Sequence, residues 1–160
     1  MRTKRILIFL VAVITAMSTM LFSACGSGSG QTKKVENFYD LVVQSQECLD
    51  KVADDIYAYW YDAIYEDEYG GDISRAVYWA KQDNEENLSK IEANDSAIQS
   101  VYKEIKNSEF SEQIKAVMSA YSDYYELVVN VSGSFRTYSA NKETLKKGLA
   151  SALKNLALEL

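Results

Sequence analysis

From Val35 almost to the C-terminus, apolar and small residues recur every third or fourth position, and the chain contains no proline to interrupt them. The first line is Val35, Phe38, Val42, Ser45, Leu49, Val52, Ile56, Tyr59 and Ala63, the spacing of one helix face. It predicts a helix over about residues 33 to 68. That helix stops where Tyr69 meets Gly70 and Gly71: either glycine accepts the left-handed cap conformation, and Asp72 or Ser74 is suited to cap the next helix. A second line, Val77, Ala80, Asn84, Leu88, Ile91, Asp95, Ile98, Tyr102 and Ile105, predicts a helix over about residues 74 to 106. Phe110, Ile114, Val117, Tyr121, Tyr124, Val128, Val131, Phe135 and Tyr138 form a third, running to about residue 138. Ser108, Ser111 and Glu112 offer capping groups for its start, and Gly133 between two serines marks a kink or an early stop. A shorter fourth helix, over about residues 142 to 158, is capped by Asn141 and carries Leu145, Leu149, Ala152, Leu153, Leu156 and Leu160.

No stretch alternates polar and apolar residues for long enough to form a half-buried strand. The fold class expected is all-α. Helices this long cannot bury their apolar faces alone, and short loops make sequential helices antiparallel neighbours. The expectation is an up-down antiparallel helical bundle of three long helices and a shorter fourth, occupying residues 34 to 160. The alternative is a three-helix bundle with the short segment across one end or along a groove. The long segments share a period but no repeated motif.

The N-terminus differs in kind. Arg2, Lys4 and Arg5 precede an uncharged apolar run that ends in Phe22, Ser23, Ala24 and Cys25, followed by Gly-Ser alternation. The run is shorter than the roughly 20 apolar residues of a membrane-spanning helix and has the layout of a signal peptide. Phe22 to Cys25 resembles the lipobox of bacterial lipoproteins, although the family usually carries Leu three positions before the cysteine, and here Leu21 stands one place further out. The resemblance covers the first 30 or so residues only. It implies that residues 1 to 24 are removed, that Cys25 carries a diacylglyceryl group as the new first residue, and that the protein is lipid-anchored to the bacterial cell membrane or outer membrane, facing outside the cytoplasm. Acyl chains contribute about 0.8 kcal/mol per buried CH₂, so two or more anchor a domain that one would hold only reversibly. Residues 25 to 33 are then the lipidated cysteine and a flexible tether.

Removing residues 1 to 24 takes away three bases and no acid, leaving 14 basic and 23 acidic residues and a net charge of −9. That excess repels phosphate backbones, and nucleic acid is excluded as a partner. With no histidine in the chain, Ser-His-Asp and Cys-His catalysis and His-ligated zinc are unavailable. No cofactor motif is present, and the chain is expected not to be an enzyme. With Cys25 committed to lipid, Cys48 is a free, at least half-buried thiol.

Two groups of residues are candidates for function. Between Val52 and Ser74 lie seven acids and no base, interleaved with tyrosines and tryptophan. Tyr57, Tyr59, Trp60 and Tyr61 span more than half the helical circle, so not all can face one core; the candidates are Tyr57, Trp60, Tyr61, Tyr65 and Tyr69, with Trp79 from the second helix. They are expected to form a recognition surface at the end remote from the membrane, for a protein, peptide, glycan or cationic ligand. The acids around Gly70 and Gly71 lack the ligand spacing of an EF-hand and read as a solvated tip. The second group is Asn84, Asp95, Tyr121 and Tyr124, polar positions on helix seams, which either set register or form an inter-helix pocket of a small-molecule sensor or solute-binding module.

Overall fold

The computed structural model describes residues 29 to 160. Cys25 and the residues expected to form a lipobox and signal peptide lie outside these residues. Among the described residues there are five α-helices and no strand: α1 (Ser29–Tyr65), α2 (Ile73–Asp83), α3 (Glu85–Ile105), α4 (Ser111–Val129) and α5 (Phe135–Ala157), with a 3-10 turn at Glu68–Gly71 between the first two. No helix among them is long and apolar enough to cross a membrane. The protein is all-α, with the five helices packed together around α1, which touches each of the others.

α1 has 37 residues and is about 55 Å long. It begins at Ser29, so positions 29 to 33 of the expected tether are helical. Its buried face is the one the periodicity marks, Val35, Phe38, Val42, Ser45, Leu49, Val52, Ile56 and Ala63, with one exchange: Trp60 is buried in place of Tyr59. Against it pack Ile91, Ile98 and Ile105 of α3, Ile114, Val117, Tyr121 and Val128 of α4, and Leu149, Leu153 and Leu156 of α5 in one core.

Two helix boundaries depart from the expectation. The single helix expected over residues 74 to 106 is two, α2 and α3, separated at Asn84 (φ −109°, ψ 20°). Its backbone N–H turns to the carbonyl of Lys81 (3.2 Å), and its side-chain amide donates instead to the carbonyl of Ala80 (2.9 Å) and to Asp55 (2.7 Å). Asn87 donates to Asn84 Oδ1 (2.9 Å). The asparagine thus replaces the hydrogen bond that its own break removes, a local competition with helix that this side chain makes readily. The expected third helix to residue 138 ends instead at Val129. Gly133 takes φ +86°, outside the helical region, and Ser134 caps α5 by accepting from the N–H of Thr137 (3.2 Å). Phe135 and Tyr138 therefore begin α5, which has 23 residues and is no short appendage. α4 starts without a side-chain cap, and the hydroxyl of Ser108 is buried with no hydrogen-bond partner.

Polar pairs join the helices at fixed levels. Asp50 receives the hydroxyl of Tyr124 (2.7 Å) and pairs with Lys146 (3.1 Å); Asp54 pairs with Lys142 (2.5 Å). Position increases along α1 as it decreases along α5. Lys34 with Glu104 (2.7 Å) and Asp55 with Asn84 give α1 and α3 the same opposed order. The Lys142 side chain is only 10% exposed and its Nζ lies 4.7 Å from the ring centre of Tyr57, so its charge is met by a carboxylate and by an aromatic face.

Removing Asp54 leaves a nearly buried ammonium with only the more distant Glu143 carboxylate (3.6 Å) and the Tyr57 ring to meet it. Asp54→Ala is expected to cost about 1–3 kcal/mol, less than for a fully buried pair because about half of the Asp54 side chain is open to solvent. The double variant Asp54→Ala, Lys142→Met is expected to recover most of that loss. Urea midpoints of the three proteins check this.

Candidate functional site

The turn that joins α1 to α2 places its backbone where side chains rarely allow it. Asp67 and Tyr69 have φ of 54° and 58°, and Gly70 and Gly71 continue at 66° and 69°. For the two glycines this costs little, whereas left-handed backbone at a residue with a Cβ costs about 1–2 kcal/mol. The turn ends at Asp72, whose side chain accepts the N–H of Arg75 (3.1 Å) and starts α2. The strained residue is well held: the ring of Tyr69 stacks on Tyr59 with centres 5.5 Å apart and planes 22° from parallel.

Tyr59 owes its position to the exchange with Trp60. Trp60 enters the core beside Tyr138 (ring centres 5.6 Å) and is 4% exposed, which turns Tyr59 toward α2. There its hydroxyl donates to the carboxylate of Asp83. That hydrogen bond, with burial second, pushes the Tyr59 hydroxyl up to about 12. Arg75, Trp79 and Asp83 stand four residues apart, on one face of α2. Trp79 is 43% exposed and meets Tyr78 edge-on (5.4 Å, 74°). Together Tyr59, Tyr69, Gly70, Arg75, Trp79 and Asp83 line an open groove of about 470 Å³, a volume within the range of small-ligand sites.

The six aromatic residues singled out from the sequence are divided among three places. Tyr69 and Trp79 line the groove. Tyr57, Tyr61 and Tyr65 form a row on the opposite flank of α1, packed against Phe135 at 5.1, 6.3 and 6.2 Å between ring centres; Tyr65 is 60% exposed. Trp60 belongs to the core, and its indole N–H has no partner. Tyr59, Arg75 and Asp83 complete the groove and are not among those six. Tyr59 fits the apolar stripe as well as Trp60 does, but the four-residue step from Arg75 to Trp79 to Asp83 is visible in the sequence.

Asn84, Tyr121 and Tyr124 bond to α1 at separate levels, and Asp95 lies beside the Tyr121 hydroxyl, which its charge helps to raise. Tyr121 shares a hydrogen bond with Ser45 (3.3 Å), Tyr124 donates to Asp50, and Asn84 bonds to Asp55. Those partners are spaced along α1 from Ser45 to Asp55, about 15 Å apart end to end. Asp95 is half-buried near Gln99 (3.5 Å). None of the four lines the groove or the second cavity, of about 400 Å³, where Asp123, Glu126 and Asn130 of the α4 end face Asn141 and Thr144 of α5. Among the described residues no group of three or more cysteine or carboxylate side chains gathers to hold a metal ion. Cys48 is a free, half-buried thiol, and burial raises its pKa.

Compared with known proteins, the chain matches no family model, no curated protein and no solved structure. The groove brings together two stacked phenols, an exposed indole, a guanidinium and a carboxylate.

Two measurements probe this part of the molecule. Tyr69→Gly removes the strained backbone and also the stack, effects of about 1–2 and 0.5–1.5 kcal/mol in opposite directions. Its stability is expected to stay within about 1 kcal/mol of the parent in urea denaturation. The second is an alkaline titration. Tyr59 is raised chiefly by its bond to Asp83, and Tyr121, Tyr124 and Tyr138 are raised chiefly by burial. A phenol whose folded pKa lies above the unfolded value of about 10 contributes stability that is complete below that pH and lost as pH rises through the folded value. The urea midpoint is expected to be unaffected by these groups from neutrality to about pH 10 and to fall above it, with the buried tyrosines ionising only as the fold opens.

Proposed function

We propose that the chain is a lipid-anchored extracytoplasmic lipoprotein that acts as a non-catalytic recognition module, with the groove at the α1–α2 hairpin as its contact site. The single observation that carries this reading is Tyr69: a bulky residue held at φ 58° with its ring laid on Tyr59, beside an exposed tryptophan. Strain of this kind persists where the surrounding structure over-determines it, and such places cluster at binding and catalytic sites. An up-down antiparallel bundle, anchored before Ser29, carries the hairpin at the far end of α1, away from the bilayer. The lipid bilayer is then one partner, through acylated Cys25, and a protein, peptide, glycan or smaller ligand is the other. A solute-binding role is favoured at the groove over the helix seams, because the polar atoms of Asn84, Tyr121 and Tyr124 are already paired within the fold.

The full chain, extracted from its native host in a maltoside detergent and immobilised, is expected to capture its partner from envelope extract. Trp79→Ala and Tyr69→Ala are expected to abolish capture while leaving helical circular dichroism intact; undiminished capture by both variants would reject the groove. Cys25→Ser is expected to move the protein from the detergent phase to the soluble fraction, and its retention in the membrane would argue for an uncleaved anchor.

A further inference from the structure

The groove carries its own selection rules for a ligand. Its walls include Tyr59, Tyr69 and Trp79: the two tyrosine rings are stacked on each other, and the partly exposed Trp79 offers the negative π-surface that attracts a cation. At one end stands the carboxylate of Asp83, held by the Tyr59 hydroxyl. Asp62 and Glu68 add to the negative potential there: after burial, they are the main causes that raise the Tyr69 hydroxyl. A bare metal ion does not suit such a site, since it needs several converging oxygens. A methylated ammonium does, because it is weakly hydrated and its charge is spread over a surface that rings can cover, the recognised use of aromatic cages.

Arg75 adds the other half. It is the only base between Val52 and Lys81, and among the described residues its guanidinium makes no hydrogen bond or ion pair. It lies two helical turns from Asp83, about 12 Å along α2, with Trp79 midway. An unpaired guanidinium at the edge of an acidic, aromatic groove is placed for a phosphate or carboxylate, which it grips with two parallel N–H donors. We propose that the groove binds a zwitterion in which a methylated ammonium is joined to a phosphate or carboxylate, the ammonium against Trp79 and the outer side of the Tyr59–Tyr69 stack, near Asp83, and the anion on Arg75. The proposal rests on the reading of the groove as the recognition site.

The test uses the full chain in maltoside detergent. Calorimetry on the unsubstituted protein gives the affinities, and because Trp60 is buried and Trp79 exposed, fluorescence quenching that is lost in Trp79→Phe is assigned to Trp79. Phosphocholine and glycine betaine are expected to quench Trp79 saturably. Choline, which lacks the anion, is expected to bind about tenfold or more weakly, and inorganic phosphate alone is expected to leave the indole unchanged. Arg75→Met removes no hydrogen bond or ion pair among the described residues and is expected to reduce phosphocholine to the affinity of choline, whereas Asp83→Asn weakens both.

Vesicles of phosphatidylglycerol with and without phosphatidylcholine distinguish a lipid headgroup from a free solute. A Trp79 response confined to phosphatidylcholine vesicles identifies the headgroup, and a response to soluble phosphocholine alone identifies a solute. No response to either phosphocholine or glycine betaine overturns the proposal, as does equal binding of choline and phosphocholine with no effect of Arg75→Met. If capture of an envelope partner still depends on Trp79 in that case, the recognition reading survives and only the ligand class is lost; if capture never depended on Trp79, the recognition reading itself is lost.

Discussion

Burial of one face of α1 is the constraint on which the other elements depend. Each remaining helix packs on this face or beside it, and the residues that line it are almost all apolar and fully buried from Val35 to Ala63. A face of that kind does not by itself choose a register, because apolar contacts are non-directional. The polar pairs supply the choice. Ser45, Asp50, Asp54 and Asp55 each engage a different partner at a different level of the bundle, and a slip of one turn would break all four pairings, leaving the buried Ser45 hydroxyl and the nearly buried Lys142 ammonium without these partners. The partly buried acids therefore serve specificity of packing even where their net contribution to stability is small.

This division of labour explains what could be read from the sequence. Helix class, the buried face of α1 and the general course of α3, α4 and α5 follow from three-and-four spacing, which reports burial directly. Boundaries followed less well because they turn on single side chains. Asn84 satisfies the helical spacing of its neighbours and breaks the helix all the same, since its amide can replace the backbone bond that the break removes. Gly133 was visible as a kink or a stop, and the choice between them depended on whether Ser134 would cap a new helix there. The aromatic end shows the same limit. Tyr59 and Trp60 are adjacent, and periodicity does not say which of the two enters the core; the packing of Trp60 beside Tyr138 and Phe135 decides it. That choice assigns Tyr59 to the groove.

The contrast between seam and groove rests on how polar atoms are occupied. Along the seams, hydroxyls, amides and carboxylates find partners within the chain, and what they hold is another helix. Asn84 is the clearest instance: both of its amide donors and its oxygen are engaged internally, so a ligand there would have to displace bonds the fold needs. In the groove the balance is reversed. The Arg75 guanidinium makes no bond among the described residues and the face of Trp79 is partly open, although the aromatic pair beside them is fixed.

Strain and order meet at Tyr69. A flexible turn would keep this ring mobile and make any ligand bear the entropy of ordering it, roughly 0.5–1.5 kcal/mol for each side chain immobilised on binding. Here folding has already ordered it, through two glycines that accept positive φ, the Asp72 cap that fixes the start of α2, and the stack on Tyr59. The cost of left-handed backbone at Tyr69, about 1–2 kcal/mol, is borne by the packing of α1 against its neighbours before any ligand arrives. The stability of the bundle is thus coupled to the readiness of the groove: a substitution in the α1 core far from the hairpin that loosens Trp60 would also release Tyr59, and with it the platform on which Tyr69 rests.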